Sequence, residues 1–309
     1  MIFNTQIVSL LVSAPRAVSA LEAVKNVPTF QARLKLRHPL AIFNVSIEQV
    51  VSRFSNALRA FKQLSLSYGN HEEDILKAKV EFLDSLDSLL DSLIEHIDDC
   101  NNVVRCFFES DSDPKYKNVY SQFKSSIRPY RNHVGRVVNK IKHEQGRLRL
   151  IHFSWPDGSS YGYFVEGANQ EGAVGPDEDI HPGGNTAFSI ARDFRFHLCG
   201  IYFVGTHLAQ AVYEVCGMSI KQCDMGNQGS EGLAEIIQAV SSIPPIFFPD
   251  EIRKVIPTVK IVGGPGALIA CGKLHHEKVS ALPSAKVHVN FSGDGITRTF
   301  RVPYIGGHS

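Results

Sequence analysis

Apolar residues recur every three or four positions through residues 46–146, and shorter alternating runs replace them beyond Gly146. The first pattern belongs to amphipathic helices and the second to strands. Ser46-Ile47-Glu48-Gln49 has the spacing of a capping box, in which two side chains satisfy amide groups that a helix start leaves unpaired. From there Ile47, Val51, Phe54, Leu58, Phe61 and Leu64 form one stripe, and Gly69-Asn70 supplies a stop and a fresh cap. A second helix carries Leu76, Leu83, Leu86, Leu90, Leu93, Ile97, Cys100, Val104 and Phe107 in a coiled-coil-like seam, with Asp84, Asp87, Asp91, Glu95 and Asp98 on its outer faces. Asp113-Pro114 opens a third, in which Tyr116, Tyr120, Phe123, Ile127, Tyr130, Val134, Val137 and Ile141 repeat the seam. Pro129 interrupts it with a kink. Three such rods with short connections pack as an antiparallel bundle.

Past Gly146 the spacing predicts strands at Arg147–Phe153 and Tyr161–Glu166, joined by the turn Pro156-Asp157-Gly158. A Gly- and Asp-rich loop follows over 167–185. Phe188–Phe196 alternates like a strand, Ile201–Val215 and Glu231–Val240 read as helices, and Val259–Val262 and Ala267–Cys271 as short strands. Lys286–Phe291 and Ile296–Val302 flank Gly293-Asp294-Gly295 as a hairpin would. Ahead of the bundle, Ala17–Val24 fits a short helix and Ala32–Arg37 alternates like a strand. The expected fold is α+β: an N-terminal arm (1–45), an antiparallel long-helix bundle (46–146), and a mixed α/β domain with a C-terminal β-hairpin (147–309).

Composition narrows the function classes. Thirty-two basic residues balance 31 acidic ones, so no whole-protein field steers the chain to nucleic acid or an anionic membrane, and such a partner must be read from local clusters. The six cysteines are scattered without a C-x-x-C pair, which suits a reducing compartment. The apolar run Ile7–Ala14 has no basic segment before it and is broken by Ser9 and Ser13, so no leader is expected. No stretch has the length of a membrane span. The expected location is cytoplasmic, with no membrane partner.

Chemistry concentrates on the third helix. Arg128, Asn132, Arg136, Asn139 and His143 fall at steps of three or four opposite the apolar seam, and Arg131, His133, Lys140 and Lys142 add charge beside them. Arg128-Pro129-Tyr130-Arg131-Asn132-His133 and the run from Arg136 to His143 each place four to six residues between an Arg and a following His. With the preceding helical hairpin, this segment resembles the HEPN-like helical domains, many of which are metal-independent ribonucleases of prokaryotic defence and toxin systems. The resemblance covers residues 46–146 only. It implies His143 or His133 as acid/base for attack by a ribose 2′-hydroxyl, and Arg136 or Arg128 against the phosphorane charge, in a cleft completed by a second copy. Asn132, Asn139, Lys140 and Lys142 are the accompanying candidate binding residues, and RNA is the partner the resemblance implies.

Other constellations fall short of chemistry. Asp177-Glu178-Asp179-Ile180-His181 lacks the spacing of a calcium loop, and His275-His276-Glu277 lacks that of a zinc helix. Gly263-Gly264-Pro265-Gly266 has no phosphate-loop lysine, and Gly226-Asn227-Gln228-Gly229-Ser230 suits a helix cap. Cys199 near His197, His207 and Asp193 suits a buried thiol better than a nucleophile. No metal and no cofactor are expected. The expected function is binding and assembly, with the bundle mediating self-association or docking to a protein and the α+β domain recognising a ligand or macromolecule. A ribonuclease is the alternative, and whether the chain is an enzyme is left open.

Overall fold

Strand β1 (Phe3–Ser9) and helix α1 (Arg16–Ala23) precede three long rods, α2 (Pro39–Ser67), α3 (Glu72–Arg105) and α4 (Pro114–His143). The structure, a computed structural model, describes residues 3–9, 14–68, 71–218, 231–262, 266–271, 280–291, 295–297 and 299–305. Each rod starts where local chemistry favours it. Glu72, Glu73 and Asp74 fill the first turn of α3 against its positive dipole end. Asp113 caps α4 by accepting the Lys115 amide at 2.8 Å, and Pro114 occupies the first turn, where a missing N–H is harmless. Short connections make α2, α3 and α4 antiparallel neighbours, and Pro129 lies inside α4 as the sequence requires.

One helix boundary differs from expectation. Helix α2 begins at Pro39, seven residues before the capping-box motif, with the His38 ring accepting the Leu40 amide at 3.3 Å. Ser46 is therefore a buried mid-helix residue, and its hydroxyl pairs with His96 Nδ1 of α3 at 2.9 Å. Along α3 the buried face is broader than the predicted seam and includes Phe82, Leu89, His96 and Val103, while Leu76 turns outward at 56% exposure. Residues 31–34 form a 3-10 turn in place of the strand expected at 32–37. Gly69-Asn70, Gly226–Ser230, Gly263–Pro265, His275–Glu277 and Gly293-Asp294 lie outside the described residues.

Beyond Gly146 the chain enters a five-stranded sheet. Strands β2 (Arg147–Trp155) and β3 (Gly158–Ala168) form an antiparallel hairpin, β4 (Val174–Pro176) and β5 (Phe188–Ser189) add to β3, and β10 (Lys286–Val289) adds to the far side of β2. Among the described residues the predicted C-terminal hairpin is not paired: Lys286–Val289 pairs with 151–154 of β2, and Phe300 bridges Val174 in parallel. Strand β7 (Pro257–Val262) and β8 (Gly266–Cys271) pair as expected, and β1 completes their sheet. Strand β6 (Ile246–Phe247) and β9 (Ser280–Ala281) make a small parallel pair.

Helix α5 (Ile190–Cys216) runs through the middle and α6 (Glu231–Ser242) lies beside α2. The predicted strand at 188–196 is only two residues of strand, after which Ser189 caps α5. Buried residues cover every side of α5, and an apolar-all-round helix mimics strand alternation over a short window. Arg195, in its second turn, donates to the Ala191 and Ile243 carbonyls at 2.6 Å each. Leu21 of α1, Phe43, Leu90, Val134, Tyr163, Phe194 and Ile237 belong to one buried cluster, so packing continues across residues 45 and 146. The opposite face of β2 and β3 is covered by a smaller group around Phe153, Phe164 and Phe248. No described helix is long and apolar enough to cross a membrane.

Candidate functional site

Helix α4 carries Lys115, Lys117, Lys124, Arg128, Arg131, Arg136, Lys140 and Lys142 and not one Asp or Glu. Its buried stripe (Tyr116, Val119, Phe123, Ile127, Tyr130, Val134, Val137) fixes the opposite face in solvent. Several cations are engaged at once by the fold. Arg131 pairs with Asp98 at 3.4 Å and Lys142 with Asp91 at 2.9 Å, both on the acidic face of α3. Lys140 pairs with Asp177 at 2.8 Å and Glu144 at 2.9 Å, contacts that hold its pKa above the usual lysine range. Lys115 donates to the Val215 carbonyl at 2.8 Å and Arg136 to the Asp179 carbonyl.

Lys117, Lys124 and Arg128 have no carboxylate partner among the described residues. They border an open groove of about 490 Å³ together with Arg131, Asn132, Tyr116 and Tyr120. The two tyrosine rings stack with centroids 5.0 Å apart and planes at 17°, and Lys124 Nζ lies 5.1 Å from the Tyr120 centroid. Positive charge and a stacked tyrosine pair thus lie side by side, and the unpaired cations attract phosphates.

The candidate residues taken from the sequence part company here. Arg128 and Asn132 reach the groove. Asn139 and His143 are exposed further along the helix, and Lys140 and Lys142 are in ion pairs. His133 turns inward, its ring 5.0 Å from that of Phe196 and 5.5 Å from that of Phe188, and burial pushes its pKa down to about 4. Arg136, His133 and His143 therefore face three different surroundings. Tyr116 and Tyr120 were legible only as apolar seam positions. Their stacking depends on the four-residue step that also makes them seam neighbours.

A second polar constellation lies wholly inside. Asp193 Oδ2 is 3.2 Å from His197 Nε2 and accepts the Tyr163 hydroxyl at 2.8 Å, and the Tyr130 hydroxyl lies 3.3 Å from His197 Nδ1. Burial pushes the Asp193 carboxyl up, but His197, His133 and Tyr163 together hold it below the usual carboxylate range. All four groups are buried, so the network joins α4, α5 and β3 rather than meeting a substrate. Cys199 likewise points its thiol at the Ala270 carbonyl, 3.4 Å away.

In the loop after β4, His181 accepts the Val165 amide at 3.0 Å, and Asp177 accepts the amides of Asp179 and Ile180. This acidic segment is fastened as structure. Among the described residues no group of three or more His, Cys, Asp or Glu is placed to hold a metal ion. A cavity of about 580 Å³ between α2, β3 and α6 is walled mainly by Leu58, Phe61, Leu66, Tyr161 and Ile243, with Lys62 its one charged group. It offers volume but no nucleophile–base pair. No family model, curated protein or solved structure matches the chain.

Proposed function

We propose that this chain is a binding protein that takes a single strand of RNA along the basic, tyrosine-bearing groove of α4. The observation that carries the reading is the set Lys117, Lys124 and Arg128, cations without internal carboxylate partners, bordering the stacked Tyr116–Tyr120 pair. Counterions released from the phosphates supply the affinity, and the half-buried Tyr120 ring adds apolar contact beside Lys124.

Fluorescence anisotropy with a labelled twelve-nucleotide oligouridylate tests this. Neutralising three to four phosphates predicts a roughly twenty- to fiftyfold loss of affinity between 50 and 200 mM salt, from a slope of about 0.7 per phosphate. Absence of saturable binding at 50 mM salt, or binding indifferent to salt, contradicts the reading. HEPN-like cleavage has less support, because it needs a guanidinium and an imidazole on one phosphate, and Arg136 is held by Asp179 while His133 is turned inward. The RNA is expected to remain intact. Self-association through the helical seams also has less support, since those seams are buried against the chain's own α2 and α5.

A further inference from the structure

On another side of the bundle, the first half of α3 stands over the edge of the sheet where β10 meets β2. A cavity of about 340 Å³ lies between them, within the range of small-ligand sites. Its polar groups are Lys79, Arg149, His152, His288 and Asn290, gathered from three elements far apart in sequence. We propose that this cavity binds a small apolar monocarboxylate, its carboxylate on Lys79 and Asn290 and its hydrocarbon body against Leu76, Val80 and Leu83.

Three observations support the assignment. His152 is 1% exposed, yet both of its ring nitrogens are without a hydrogen-bond partner. Its ring stacks on Tyr161 (centroids 4.5 Å, 26°) and on His288 (5.5 Å, 28°), which fixes its orientation at the cavity wall. Burial pushes its pKa down to about 3, so at neutral pH it offers an N–H donor and no charge. Both nitrogens are sealed from solvent, so the ring forms an oriented, uncharged wall of the cavity and leaves Lys79 as the charge that selects the ligand.

The charge balance selects a monoanion. Arg149 donates to Glu166 through Nε at 2.5 Å and Nη2 at 3.0 Å, so its charge is already matched. Lys79 has no carboxylate within ion-pair distance among the described residues, and burial lowers its pKa against the opposing pull of Glu72. One uncompensated cation remains, which a single carboxylate neutralises and a phosphate dianion oversupplies. Leu76 and Val80, 56% and 52% exposed, form an apolar rim that a hydrocarbon body would cover.

Isothermal titration of the full chain with phenylacetate, its neutral isostere phenylacetamide, and phenyl phosphate tests the proposal. Phenylacetate is expected to saturate the protein, with phenylacetamide and phenyl phosphate each at least tenfold weaker. Lys79→Met, a partly exposed position that keeps the apolar stem, is expected to weaken phenylacetate tenfold and leave phenylacetamide unchanged. Asn290→Ala, at an exposed site, is expected to weaken phenylacetate severalfold. No saturable phenylacetate binding, equal affinity in Lys79→Met, or preference for phenyl phosphate would overturn the assignment.

Discussion

Gly200 of α5 and Tyr130 of α4 meet so closely that a methyl group on Gly200 would run into the tyrosine ring, its hydroxyl oxygen included at 2.7 Å. The bare α5 backbone lets the ring lie against it and extend its hydroxyl to His197 Nδ1, 3.3 Å away. The helix bearing the basic groove is thereby seated on the central helix at a position where side-chain size is decisive. The groove's geometry follows from that seat, because Tyr130 and Arg128 are two residues apart on α4.

Gly200→Ala is therefore expected to destabilise the protein despite alanine's preference for helices. Alanine adds about 1 kcal/mol to a helix interior over glycine, whereas overpacking a filled core costs roughly 1–3 kcal/mol. Urea unfolding should show a net loss of up to about 2 kcal/mol. Equal or greater stability would mean that α4 is not seated here.

Acid should weaken the fold well above the carboxylate range. Burial holds His96 and His133 at about 4, and His152 and His181 at about 3, against about 6.5 for an unfolded imidazole. The unfolded chain therefore binds more protons between these values, so the stabilisation is full above pH 6.5 and is lost as pH falls toward 4. His96, His152 and His181 should each remove roughly 2 kcal/mol by pH 5. Glu251 acts in the opposite sense: burial raises its pKa to about 7, so its contribution grows as pH falls from 7 toward 4.5. Burial raises Asp87 and Asp99 in the same sense from a lower starting value, so above pH 5 the four imidazoles dominate and leave a net loss. The melting temperature should drop steadily from pH 7 to pH 5, and a flat or rising profile would contradict the buried-neutral assignment.

Sequence periodicity revealed much of this architecture for identifiable reasons. Helices α3 and α4 are each buried along one side and solvated along the other, so Leu86, Leu90 and Leu93, or Phe123, Ile127 and Tyr130, announce the period. Helix α5 hid its first half because Phe194, Arg195 and Phe196 are all buried, which erases the contrast on which a period depends. The capping-box motif at Ser46 misled because its hydroxyl answers His96, fifty residues away, rather than its own helix start. A similar limit applies to the sites. The cations of α4 are countable in one dimension, but which of them α3 neutralises is set by tertiary contacts such as Arg131–Asp98. The pocket at His152 needs α3, β2 and β10 together, and no local pattern contains it.

The salt dependence of oligouridylate affinity in a Lys124→Gln/Arg128→Gln variant tests the central claim most directly. Both residues are exposed and unpaired, so the variant should fold as the parent does. If phosphates lie against these two side chains, the slope of log affinity against log salt falls by about 1.4 and binding at 50 mM salt weakens at least tenfold. An unchanged slope with unchanged affinity would place any bound RNA elsewhere and contradict the groove on α4.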